Sequence, residues 1–276
     1  MIKDIVVNLS VIENDGYARD FAISVASAVG AHLTGIAFVL DPLMPVAANG
    51  YIWPDVIETQ RRANETAAQG AIDRFNAAAK RAGITVEPTK LPASFASAGE
   101  QFGRIARRFD LAIVAQAEPE KHAVEELIAE STLFESGRPV IIVPYIQEAP
   151  LKLDRVMVCW DGSRSAARAI ADAMPLLERA GLIEVVIIAN EPDKEDEIPG
   201  ADMGQHLARH GLKVDIHRMP IGDIDVADAL LSHAADSSTD FIVMGGYGHS
   251  RLREFVLGGV TRLMLRSMTA PVLMSH

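Results

Sequence analysis

Two stretches carry the fold: Asp110-Leu111-Ala112-Ile113-Val114-Ala115 and, 130 positions later, Asp240-Phe241-Ile242-Val243-Met244-Gly245. Each is an acid followed by a short run that is apolar on both faces, the signature of a strand buried inside a parallel sheet. The pairing does not stand alone. Gly83-Ile84-Thr85-Val86-Glu87 matches Gly211-Leu212-Lys213-Val214-Asp215 at an offset of 128, and Arg138-Pro139-Val140-Ile141-Ile142-Val143 matches Ala270-Pro271-Val272-Leu273-Met274-Ser275 at 132. Three matches in one order at a near-constant offset indicate a diverged internal duplication.

The remaining segments fit the same scheme. Ile5 to Asn8 and Val156 to Asp161 are the first strands of the two halves. In the second half, Ser163 to Ala180 has helical Ala/Leu/Ile spacing, and Glu184 to Ala189, Leu212 to His217, Asp240 to Met244 and Pro271 to Met274 read as further strands. Apolar strands alternating with amphipathic helices predict an α/β fold with two tandem, doubly wound, five-stranded parallel sheets of Rossmann-like type. The polar, proline-bearing Gln147-Glu148-Ala149-Pro150 marks the boundary, giving domains 1–148 and 151–276. The extra length of the first half lies in Asp41 to Gln69, read as a connector helix with an aromatic anchor at Tyr51, Trp53 and Pro54.

Composition narrows the function. The 276 residues carry 26 Lys plus Arg against 37 Asp plus Glu, a net charge of −11, which repels a phosphate backbone and argues against nucleic acid as a partner. Only 5% are aromatic, which suits helices on a parallel sheet better than an aromatic-rich β-sandwich. Apolar runs fall well short of the ~20 residues a membrane helix needs, and the opening MIKDIVV meets an acid by residue 4 and lacks a secretory leader pattern. The expectation is a cytoplasmic protein without membrane partners. The one cysteine, Cys159, excludes a disulfide framework. It is read as a buried strand residue, although it shares strand parity with Asp161.

In a doubly wound sheet, ligands bind at the carboxyl ends of strands beside the topological switch point. After the fourth strand of the second half comes Gly245-Gly246-Tyr247-Gly248-His249-Ser250-Arg251-Leu252-Arg253, then Glu254 to Leu257, then Gly258-Gly259-Val260-Thr261. Glycines let backbone amides approach an anion, Gly258-Gly259 opens a helix over Val260 to Met268 whose amino end favours phosphate, and His249, Ser250, Arg251 and Arg253 add donors and charge. The P-loop pattern is absent, since no Gly-Lys pair occurs. A dinucleotide fingerprint fails because Gly246-x-Gly248-x-x ends on Arg251 and residues 255–276 contain no acid. Asp161-Gly162-Ser163-Arg164-Ser165 also lacks the glycine-rich turn of pyrophosphatase-type nucleotide hydrolases.

What the letters do spell is Gly-x2-Gly-x9-Gly, as Gly245, Gly248 and Gly258. With Trp160-Asp161-Gly162-Ser163 after the first strand and Ala270-Pro271-Val272-Leu273 at the last, the chain resembles the universal stress protein family, closely in its second half and as a degenerate copy in its first. The resemblance implies an adenine nucleotide, ATP with Mg²⁺ as companion ion, held by Asp161, Met244, Gly245, Gly248, His249, Ser250, Arg251, Gly258, Gly259, Val260 and Thr261, with Asp161 at the adenosine end. It also implies a stress-response regulatory role, pairing of the two last strands within the chain, and a homodimer. Family ATP binders carry Ser or Thr after the third glycine, where this chain has Gly259. The first half lacks the loop glycines: Gln116-Ala117-Glu118-Pro119-Glu120-Lys121-His122, then Glu125, Glu126 and Glu130, put carboxylates where phosphates would sit, and Asn8 stands in place of Asp161.

No catalytic constellation stands out, so the leading expectation is a nucleotide-binding regulator. A nucleotide-free dimeric interaction scaffold and a slow ATP hydrolase are the alternatives. His206 and His210 share a helical spacing but have no third ligand in view, so no metal site is expected. The acidic stretch Glu191 to Glu197 reads as a solvated loop.

Overall fold

The computed structural model describes residues 1–12, 16–42, 54–118, 123–189, 200–220, 224–246 and 259–276. In chain order the elements are β1 (Asp4–Asn8), α1 (Tyr17–Val29), β2 (His32–Leu40), α2 (Pro54–Ala82), β3 (Val86–Ala93), α3 (Ala98–Ala106), β4 (Leu111–Ala115), α4 (Ala123–Glu135) and β5 (Val140–Val143). The second half repeats them as β6 (Arg155–Cys159), α5 (Arg164–Leu177), β7 (Leu182–Ala189), α6 (Ala201–Arg209), β8 (Val214–Pro220), α7 (Val226–Asp236), β9 (Phe241–Gly245), α8 (Val260–Ser267) and β10 (Val272–Ser275).

The strands form one ten-stranded sheet in the order β3-β2-β1-β4-β5-β10-β9-β6-β7-β8. Each half is a parallel five-stranded unit in the same order. The two expected sheets are therefore joined edge to edge, through a single antiparallel pairing of β5 with β10 in which Val272, Leu273 and Met274 face Ile142, Ile141 and Val140. Both strands are buried along their whole length. An apolar edge strand left in water would expose unpaired amides and apolar surface together. Pairing the two edges removes both costs and makes the last strands the centre of the molecule.

Three layers result. Residues of α1, α2, α5 and α6 (Phe21, Phe75, Ile170, Leu207) pack on one face of the sheet, and residues of α3, α4, α7 and α8 (Phe102, Leu133, Leu230, Met264) pack on the other. Each face is one apolar cluster that runs across both halves. Contacts beyond the sheet reinforce the junction: Arg168 Nη2 donates to Gly137 O at 2.6 Å, and Leu151 N–H donates to Ser24 Oγ at 2.9 Å.

The duplication extends to hydrogen bonds. Asp110 N–H donates to Asp4 O (2.9 Å) while its carboxylate accepts from the N–H groups of Lys3 (2.7 Å) and Asp4 (3.1 Å). In the second half Asp240 N–H donates to Arg155 O (2.9 Å) and its Oδ2 accepts from Arg155 N–H at 3.0 Å. Each aspartate thus clamps the start of its half's first strand. The N–H of Lys3, assisted by that of Asp4 and by Arg138, holds the Asp110 carboxyl below its ordinary 3.8 against the opposing effect of burial. Asp110→Ala is expected to cost about 1–2 kcal/mol at neutral pH, from lost charge-assisted bonds at a partly exposed site. Because the folded value is the depressed one, this stabilisation is complete above pH 3.8 and fades as pH falls through the folded value. Denaturant titrations at neutral pH and near pH ~3 should show the gap between wild type and variant narrowing in acid. A gap that stays constant would refute the assignment.

Element limits shift modestly from expectation. The third strand of the second half starts at Val214 because Leu212 N–H closes the end of α6 on Leu207 O at 3.4 Å. In the first half, α2 begins at Pro54, so the connector helix exists, but Tyr51 and Trp53 lie outside the described residues.

Candidate nucleotide site at the switch point

In the second half the chain proceeds from β6 outward to β7 and β8, then returns to place β9 on the other side of β6. The crevice between the carboxyl ends of β6 and β9 is therefore the switch point, where a doubly wound sheet binds its ligand. Asp161 follows β6, and Gly245 ends β9. Since α8 links the loop after β9 back to the beginning of β10, its amino end lies at that same carboxyl end of the sheet.

A tight turn shapes the β6 side. Ser163 N–H donates to Asp161 Oδ1 at 2.9 Å, Gly162 adopts φ +74°, and Ser163 caps α5 by accepting from Ala166 N–H at 3.1 Å. A side chain at position 162 would be strained in this left-handed conformation. Asp161 is exposed, with one oxygen committed to the turn.

On the β9 side, Gly245 has a stronger reason to be glycine than the freedom of a phosphate loop. A Cβ there would lie 2.6 Å from Ala166 N and 2.7 Å from Ser165 Oγ, so the end of β9 is pressed against the first turn of α5. Gly246 donates its N–H to Ser275 O at 2.8 Å and accepts no obstacle worse than the Leu133 methyls, 3.0 Å from where its Cβ would be. Met244 is buried on the α7/α8 face. Gly259 caps α8 with φ −58°, ψ 158° and without a side-chain bond, Val260 is half-buried, and Thr261 is 3% exposed, facing the core. Gly248, His249, Ser250, Arg251, Arg253 and Gly258 lie outside the described residues, as does the acidic stretch Glu191 to Glu197.

Cys159 is half-covered, and burial first, with the charge of Asp161 second, pushes its thiol up to about 12. At neutral pH it is a protonated, unreactive thiol, in line with a core role.

The equivalent place in the first half is built differently. Gln116 stands where the second half has Gly246: its N–H donates to Val143 O at 2.8 Å, as Gly246 does to Ser275 O. Its buried side chain then donates to Leu265 O of α8 at 2.9 Å and accepts from Tyr145 N–H at 3.2 Å, and Tyr17 Oη donates to the backbone carbonyl of Gln116 at 2.9 Å. A residue read as part of a degenerate loop is thus a strut between the two halves. The offset of 130 positions between Gln116 and Gly246 was the signal for it. At the carboxyl end of β1 lies a cavity of about 190 Å³ lined by Asn8, Ser10, Phe38, Val124, Glu125 and Ile128 among others, so a carboxylate borders it. Asn8 Oδ1 is buried there without a hydrogen-bond partner among the described residues.

His206 and His210 do meet, edge to face with ring centroids 4.9 Å apart, at the end of α6. Among the described residues no third ligand joins them.

A switch-point crevice between an acidic turn on one strand and a glycine-ended strand is where a doubly wound α/β sheet binds its ligand. Residues 152–276 match the model of the universal stress protein family. Universal stress protein Slr1230 of Synechocystis is 25% identical over 123 residues, 44% of this chain and 42% of that protein, so the match spans less than half the length of that relative. Among solved structures, a universal stress protein from Archaeoglobus fulgidus superposes with a TM-score of 0.71 at 16% identity, covering 99% of this chain and 95% of that one. A functionally unknown protein from Pseudomonas aeruginosa gives 0.61 at 13% identity, covering 99% and 92%. The second half of the chain is thus similar to the universal stress protein family, and the full-length fold is shared with those two structures. No helix among the described residues is long and apolar enough to cross a membrane.

Proposed function

We propose that the protein is a stress-response regulator of the cytoplasm that binds ATP, with Mg²⁺, in the C-terminal domain (151–276) and catalyses little or no turnover. The first domain (1–148) is a degenerate copy that braces the second and takes no nucleotide. The observation that carries this reading is the contrast at equivalent positions: Gly245 and Gly246 against Ala115 and Gln116, with an amide strut replacing a glycine and a carboxylate bordering the cavity at the carboxyl end of β1. In support, the amino end of α8 offers backbone N–H groups and a positive dipole end to a phosphate, and the Gly-x2-Gly-x9-Gly spacing leads into it. Asp161, beside the crevice, suits recognition of the adenosine portion. With β5 and β10 already paired inside one chain, the homodimer that belongs to this reading is not needed to complete the site.

The test is isothermal titration of the full chain with ATP and Mg²⁺, alongside Gly248→Val, which places a branched side chain on the phosphate loop. Saturable binding near one ATP per chain in the wild type, lost in the variant, is the expected result. Absence of heat at millimolar ATP from folded protein would overturn the ATP reading. The nucleotide-free scaffold would then lead, a reading favoured by one residue, Gly259, which offers no hydroxyl to the phosphates.

A further inference from the structure

A second cluster of ionisable side chains lies on the sheet face beneath α7, towards the amino ends of β6 and β7 and away from Asp161 and Gly245. Glu184 of β7 and His217 of β8 share this face, because the parallel register aligns Glu184 with Asp215 and Val186 with His217. His233, in the last turn of α7, descends onto them with Nε2 3.1 Å from Glu184 Oε2. The rings of His217 and His233 stack with centroids 4.3 Å apart and planes 16° from parallel. One ligand atom from each of the three residues falls within 4.8 Å of the other two.

The cluster is costly as it stands. Glu184 is 8% exposed, and its Oε2 and His233 Nε2, although 3.1 Å apart, are not aligned as a hydrogen bond and have no other hydrogen-bond partner among the described residues. Arg155 Nη1 also faces Glu184, at 4.0 Å on the rim. Buried carboxylates are retained when paired or when they coordinate a metal. Two imidazole nitrogens and a carboxylate oxygen are the donors that first-row divalent cations, zinc above all, select over magnesium or calcium.

We propose that Glu184, His217 and His233 form a site for a divalent transition-metal cation of the zinc class, with the remaining coordination positions left to water. Bound there, the ion ties α7 to the outer strands β7 and β8, replacing three imperfect contacts with three metal bonds. The site is independent of the nucleotide reading, since it shares no residue with the switch-point crevice.

The experiment uses the full chain, stripped with chelator and titrated with ZnCl₂ in competition with a chromogenic chelator, with Co²⁺ absorption as a second readout of nitrogen ligation. One equivalent is expected to bind, raising the thermal midpoint. His217→Ala and His233→Ala should each weaken binding at least ~tenfold, by analogy with the ~10–100-fold cost of losing even an outer-shell partner, and the double variant should abolish it. Glu184→Gln, nearly isosteric, provides the same test should the histidine variants fail to fold. His206→Ala/His210→Ala should leave binding unchanged. Zinc binding that survives in the folded double variant or in Glu184→Gln, or no binding by wild type at micromolar zinc, overturns the proposal.

Discussion

Gly259→Ser is expected to tighten ATP–Mg²⁺ binding about ten- to a hundredfold, since one hydrogen bond to a charged group is worth about 1.5–3 kcal/mol. Gly259 occupies the N-cap of α8 with φ −58° and ψ 158°, an extended conformation that serine adopts without strain. Gly259 itself has no side chain with which to cap the helix. A serine hydroxyl can accept from the first turn of α8 and donate its own proton to a phosphate oxygen at once, because it carries one donor and two lone pairs. The two roles are separable. Capping alone should raise the stability of the nucleotide-free protein by only about a few tenths of a kcal/mol relative to glycine, whereas the phosphate contact shows only in the titration. A variant with a higher thermal midpoint and unchanged ATP affinity would mean that the phosphates do not reach this helix start, and the proposed site would fall with it.

Gly245→Val carries the largest expected loss. Its Cβ would stand 2.6 Å from a backbone nitrogen and 2.8 Å from the Ser165 carbonyl carbon. Backbone at both ends of a close approach cannot yield as a flexible side chain does, so β9 or α5 has to move. Overpacking of this kind costs about 1–3 kcal/mol or more, which for a domain of this size lowers the thermal midpoint by roughly 2–4 °C per kcal/mol. The same displacement parts Gly245 from the Asp161–Ser163 turn, so ATP binding should vanish as well. Gly246→Ala is the matched control. Its new methyl meets only the Leu133 side-chain ends at 3.0–3.1 Å, which can rotate aside, and a small effect is expected. Equal midpoints for Gly245→Val and wild type would show that the close approach is not real.

Most of the fold was legible because its signals are local. Runs such as Val156-Met157-Val158 and Ile242-Val243-Met244 are apolar on both faces only if helices cover both, and the near-constant offsets expose the duplication without any coordinates. The switch point follows from topology, so Asp161 and Gly245 could be placed beside it. The reason for Gly245 was misread in part: glycine suggests access for an anion, while the packing shows that it is also required by α5. Gln116 was read only as a missing glycine, because a buried amide and an exposed one are the same letter until a partner such as Leu265 O is in place.

By itself the sequence determined the alternation of strands and helices, the two-fold repeat and the position of the crevice, since each depends on spacing along one stretch of chain. Pairing of the two last strands within the chain was implied by the family resemblance and by no spacing; the tertiary structure decided that β5 and β10 do so antiparallel, merging both halves into one sheet. Either apolar edge could have met a second molecule instead, and sequence spacing carries no information about which partner buries it. It alone also brought Glu184, His217 and His233 together. Those residues sit on two neighbouring strands and a helix, and only sheet register and the packing of α7 set the distance between them.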